Sequence, residues 1–212
     1  MEEKLAISEN AHRRQVAYRK AGVGGVPGVP GCGFLVKPSK MGEIKDNVPA
    51  DYVVVYVLRG EGSYVDWNGQ VHPLTPGCVA QRLPGKRHST LLVADGQWSE
   101  CFLVVEKTLY EALCLCGTID PSRPVLRPGL HRALVDQFES ILQDLSDGSG
   151  PATPRTTLKA HELIVSLYAF DAAARAPDPN DELVQAACGL LSEDLDARLS
   201  LPDLAGDLRL SY

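Results

Sequence analysis

Between Asp51 and about residue 105 the chain repeats one device: a short β-branched or aromatic run, then a turn that only glycine or proline makes easily. Val53 to Leu58 is the densest run, bounded by Asp51 and by Gly60 and Gly62. Ser63 to Trp67 follows and closes on Asn68-Gly69, a strong hairpin signal because both central positions of a tight hairpin turn need positive φ. Gly77, Pro84-Gly85 and Asp95-Gly96 punctuate three further runs. Strands this short and this evenly spaced leave no room for crossover helices, so they predict an antiparallel sandwich or barrel. Upstream, Gly22 to Gly33 is rich in glycine and proline without periodicity, and reads as a long loop within the barrel.

The period then changes. Leu130, Leu134, Phe138, Ile141, Leu142 and Leu145 recur at helical spacing, and Ser146 to Pro151 stops that helix. A second helix fits Thr156 to Arg175, with Leu163, Leu167 and Phe170 on one side and Leu158, Val165 and Tyr168 on another. Two apolar sides imply two neighbours: the barrel, and a second copy of the chain. Ala176 to Asn180 is a short stiff linker, and Asp181 caps a third helix bearing Leu183, Val184, Ala187, Leu191 and Leu195. Ser200-Leu201-Pro202-Asp203 opens a further helix that ends near Leu208, and Ser211 stands as a cap one residue before Tyr212. The expected organisation is therefore α+β, with a barrel at 1–110, linker and dimerisation helices at 111–176, and the opening of another domain at 181–212.

Charge and cysteine content narrow the functions. Formal net charge is −6, which excludes a chain that binds nucleic acid by overall charge. Residues 181–212 hold seven acids (Asp181, Glu182, Glu193, Asp194, Asp196, Asp203, Asp207) against two bases (Arg198, Arg209), so this segment alone is a poor phosphate binder. No run of about 18 apolar residues is present and the first residues are polar, which predicts a cytoplasmic protein without a membrane span. Six cysteines lie scattered through apolar segments without a C-x-x-C pair and are expected to be buried reduced thiols.

Two segments carry a family resemblance. Tyr56-Val57-Leu58-Arg59-Gly60-Glu61-Gly62, followed by Gly77 to Leu83, Pro84-Gly85 and His88, resembles the cupin pattern of strand, glycine turn, hairpin, short strand, Pro-Gly and histidine. Leu199 to Ala205 with Leu208 to Tyr212 resembles the start of the AraC-family DNA-binding domain. There Leu204, Ala205 and Leu208 form the short helix that packs closely on its neighbour, and Ser211 opens the recognition helix. In this order the two segments resemble an AraC-family transcription regulator: a cupin-like antiparallel β-barrel or jelly roll, linker helices, and a helix-turn-helix domain truncated before its recognition helix. The resemblance implies a homodimer, through Leu163, Leu167 and Phe170, that responds to a small-molecule effector and acts on promoter DNA. It implies neither a catalytic residue nor a cofactor.

The barrel interior is where such a sensor would hold its effector. Strand alternation groups Trp98, Glu100 and Phe102 on one face and Ser99, Cys101 and Leu103 on the other. Either set could face the core, since a charge between two aromatics suits a wet cavity or an outer surface. By resemblance the first set grips a sugar-like effector, with Lys37 at the pocket mouth and Tyr56, His88 and Thr90 completing the site. The rival is a metal-dependent cupin enzyme, an isomerase or dioxygenase. It requires three or four ligands, but no H-x-H is present and His72 is the only histidine of the first motif. No metal is therefore expected. A third reading is a cupin binding module whose C-terminal helices serve only assembly.

Overall fold

The computed structural model describes residues 11–19, 29–37, 43–147 and 154–175. The chain divides into two compact units, Met1–Ala174 and Arg175–Tyr212. The expected third helix and the helix-turn-helix residues Leu204, Ala205, Leu208 and Ser211 lie outside the described residues.

Within the first unit the described strands are β1 (Gln15–Tyr18), β2 (Gly31–Val36), β3 (Ile44–Asn47), β4 (Tyr52–Arg59), β5 (Gly62–Val65), β6 (Val71–Leu74), β7 (Val79–Arg82), β8 (His88–Leu92), β9 (Ser99–Val105) and β10 (Val125–Leu126). Helices α1 (Lys107–Leu115), α2 (Arg132–Asp147) and α3 (Pro154–Ala174) accompany them. Six strands form one sheet in the order β1-β2-β9-β4-β7-β10, and four form the other in the order β3-β8-β5-β6. All recorded pairings are antiparallel. The turn spacing predicted an antiparallel sandwich or barrel and the family resemblance implied a cupin-like α+β fold, and the structure has that architecture.

The six-stranded sheet is covered on both faces, which explains why β4 is apolar nearly throughout. Val54, Tyr56 and Leu58 join a core shared with α2 and α3, while Val55 and Val57 join the barrel interior with Tyr64, Trp98 and Phe102. Helix α2 lays Leu134, Phe138, Ile141, Leu142 and Leu145 on this sheet, and α3 packs Ala160, Leu163, Ile164 and Leu167 into the same core. Helices and sheet thus share one hydrophobic interior, and β10, at residues 125–126, returns to pair with β7.

Several expectations need correction. Gly31 to Gly33 is not loop but the start of β2. A Cβ on Gly33 would stand 2.6 Å from the Gln15 carbonyl oxygen, so glycine is what lets β1 come so close. Leu163 and Leu167 are fully buried inside their own chain, and Phe170 stacks on His131 at 4.0 Å, so the first two cannot meet a second copy. It is the other side of α3, with Leu158 and Val165, that is exposed. Cys32, Cys78 and Cys101 are buried free thiols as expected, but Cys116 is exposed at the end of α1.

Gly77 shows why one turn must be glycine. Its φ is +88°, and an added Cβ would come within 2.7 Å of the Gly129 carbonyl carbon. Its N–H donates to Val57 O at 2.9 Å and its carbonyl accepts from Gly129 N–H at 3.1 Å, so backbone hydrogen bonds help to stitch the loop before α2 to the barrel.

Candidate effector cavity inside the barrel

The site begins with the parity of β9. Cys101, Leu103 and Val105 face the helices, which leaves Glu100, Phe102 and Val104 to face the barrel interior, with Trp98 just before the strand. The neighbouring strands follow by register. Val55 stands opposite Phe102 and Val53 opposite Val104 on β4, and Arg82 of β7 stands opposite Val53. Together Leu35, Val53, Val55, Phe102 and Val104 make an apolar wall around a cavity of about 170 Å³, into which Arg82 and Glu100 project. Tyr18 of the edge strand β1 closes one side, stacked on Phe102 with ring centroids 5.9 Å apart.

Glu100 is 2% exposed, a position that a lone carboxylate would not tolerate. It is matched. Lys37 Nζ lies 2.9 Å from Glu100 Oε1 and 3.0 Å from Oε2, and Trp98 Nε1–H donates to Oε2 at 2.5 Å. Lys37 itself is anchored by its backbone N–H, which donates to Trp98 O at 3.1 Å. Lys37, Trp98, Glu100 and Phe102 are thus gathered at one site.

His88 and Thr90 project from β8 on the opposite sheet and are each 1% exposed. Neither lines the cavity, and among the described residues Thr90 Oγ1 is buried without a hydrogen-bond partner. His88 stacks on Tyr64 at 5.5 Å. Burial, helped by the positive charge of Arg82, lowers its pKa to about 4, so its imidazole is neutral at neutral pH. Tyr64 is held by its hydroxyl, which donates to Gln81 O at 2.8 Å.

Tyr56 stands apart from the other expected site residues. It is on the helix-facing side of β4, where its ring stacks on Phe138. Its hydroxyl donates to Gly129 O at 2.6 Å and accepts from His131 N–H at 2.9 Å. It therefore joins the barrel to α2 rather than lining the cavity.

Arg82 was not singled out from the sequence, where Gln81-Arg82 looks like polar lead-in to the Pro84-Gly85 turn. The available signal was alternation: Ala80 faces inward, so Arg82 must as well. Among the described residues its Nε and Nη2 are buried with no hydrogen-bond partner, although the residue as a whole is half-buried.

Among the described residues no three His, Cys, Asp or Glu side chains gather as a metal site requires. His72, the only histidine of the first cupin-like motif, bonds to Asp66 Oδ2 at 2.9 Å. The Oδ1 of Asp66 accepts the N–H groups of Asn68 and Gln70 in the hairpin turn. No helix among the described residues is long and apolar enough to cross a membrane.

Two antiparallel sheets, with helices packed on the outer face of the six-stranded one and a small, partly charged cavity on its inner face, define a cupin-like domain. The chain belongs to the AraC-like ligand binding domain family, whose model matches residues 43–167. No curated protein matches it in sequence. Its fold resembles ToxT from Vibrio cholerae O395, at 11% identity and a TM-score of 0.43, over 93% of this chain and 70% of that one. A ToxT structure from Vibrio cholerae strain SCE256 with an unsaturated fatty acid bound aligns at 16% identity and 0.34, over 80% and 65% of the two chains. The protein YhaK from Escherichia coli aligns at 16% and 0.37, over 44% of each.

Proposed function

We propose that this protein is a ligand-responsive transcription regulator of the AraC type, in which a small effector occupies the barrel cavity and alters promoter binding by a helix-turn-helix domain. The observation that carries this reading is a cavity with an apolar wall and buried charges in a barrel of the AraC-like ligand-binding family. The family points to a regulator rather than an enzyme. The effector site is built on Glu100 and Phe102, which line the cavity, with Lys37 and Trp98 bonded to Glu100 behind it, while His88 and Thr90 on the facing sheet stand outside its lining. A small polar effector fits this set only if most of its body is apolar. A sugar needs free acceptors and donors along its length, but both Glu100 oxygens are already engaged and the remaining wall is largely aliphatic.

The functional unit is a homodimer formed through the exposed side of α3, where Leu158 and Val165, seven residues apart, share one face. Analytical ultracentrifugation at micromolar concentration tests this. A dimer that Val165→Glu converts to monomer supports it, and a wild-type monomer refutes it. The regulator reading is tested by gel shift of the intact gene product on its own upstream DNA. A small molecule that binds the barrel and changes DNA affinity supports the proposal. Barrel binding with no effect on any DNA affinity would refute it.

A further inference from the structure

Within that effector reading, on which the following rests, the cavity carries an unbalanced charge. Lys37 and Glu100 neutralise one another at 2.9 and 3.0 Å. His88, next to Arg82, is neutral because burial and the guanidinium both oppose its protonation. Tyr64, whose hydroxyl donates to Gln81 O, and Tyr18, on the edge strand, add no charge either. Arg82 is left with no ion pair or hydrogen bond among the described residues, though its Nε and Nη2 are buried. Arg82 is half-buried, so its charge is partly desolvated without a partner, and an anion entering the cavity would offset that cost.

Arg82 lines the cavity, and a guanidinium offers paired N–H donors whose spacing matches the two oxygens of a carboxylate. One unbalanced positive charge suits a monoanion better than a dianion such as a phosphate monoester. Cross-strand pairing puts Val53 opposite Arg82, with Val55 and Phe102 beyond, so the space leading away from the guanidinium is apolar. A dry cavity of roughly 150 Å³ is enough to hold benzene, and this cavity is about 170 Å³.

We propose that the guanidinium of Arg82 is the anchor for the carboxylate of a small monocarboxylic acid, ring-sized or short-chained, whose apolar body lies against Val53, Val55 and Phe102. Arg82 then sets effector specificity, and acids are distinguished from their neutral counterparts at this one side chain.

The test is calorimetric titration of the full chain at pH 7.5 with benzoate, phenylacetate and hexanoate, each beside its primary amide. In the wild type at least one acid should bind ten or more times tighter than its amide. Arg82→Met and Arg82→Gln should bring that ratio to within about twofold while amide affinity is retained. The ligand-free variants should melt at or above the wild-type temperature, because removing a half-buried cation that has no partner relieves a desolvation cost. Equal binding of acid and amide by the wild type would overturn the inference and leave the effector cavity standing. So would an acid preference that survives in both variants, or a melting temperature lowered by several degrees in both, which would mark Arg82 as a structural residue. If none of the six compounds bound, the effector-cavity reading would fall together with the inference.

Discussion

Lys37→Met strands a buried carboxylate, and its effect can be worked from the geometry. In the native protein both Glu100 oxygens lie within about 3 Å of Lys37 Nζ, and the Glu100 side chain is only 3% exposed. Removing one member of a buried pair typically costs about 3–5 kcal/mol. Lys37 is 16% exposed and Trp98 Nε1–H still donates to Glu100, so the expected cost falls to about 2–4 kcal/mol. At roughly 2–4 °C per kcal/mol for a domain of this size, the melting temperature should drop by about 4–16 °C. Glu100→Gln should cost less, about 1–2 kcal/mol, because Lys37 sits nearer the surface and its ammonium can turn to water. The double variant should be close to Glu100→Gln alone. The assay is differential scanning calorimetry of all four proteins at pH 8. A Lys37→Met protein that melts within 1 °C of wild type at pH 8, or that loses no more than Glu100→Gln, would refute the reasoning.

Three further outcomes are expected. Tyr56→Phe leaves the Gly129 carbonyl and the His131 N–H without their partner and should destabilise by about 1–3 kcal/mol in urea titration, with effector affinity unchanged because the residue faces the helices. Gly77→Ala forces a side chain into positive φ and against the Gly129 backbone, so it should cost at least about 2 kcal/mol by the same measurement. His88 binds a proton less readily in the folded state, near pH 4, than unfolded, near 6.5, so the unfolded state holds more protons in that window and stability should fall as pH drops from 6.5 to 4. Urea midpoints across this range should slope less steeply for His88→Gln than for wild type.

What the sequence determined by itself was local. Glycine and proline positions set the strand lengths and turns, and helical spacing placed α2 and α3 within two or three residues of their observed bounds, because both depend on backbone sterics and on which residues share a face. Helix α1 was missed, since nine residues give too few turns for a clear period. The N-terminal part of β2 was read as loop, because Gly31 and Gly33 are there for the close approach of β1, a fact about a neighbour and not about the segment. Alternation also grouped Trp98, Glu100 and Phe102 without telling which way they point. The six-stranded sheet is buried on both faces, so Cys101 and Leu103 are as deeply covered as Trp98, and hydrophobicity could not choose between the two sets. Only the packing of α2 and α3 on one face assigned Glu100 to the interior, and for the same reason it sent Tyr56 out of the cavity and brought Arg82 into it. On α3, apolar residues on two sides signalled two neighbours, but which side met the chain's own barrel depended on how α2 lay across the sheet. Burial within a single element is a matter of period, whereas the partner that provides the burial is a matter of three-dimensional arrangement, and this protein's charged cavity exists only at that second level.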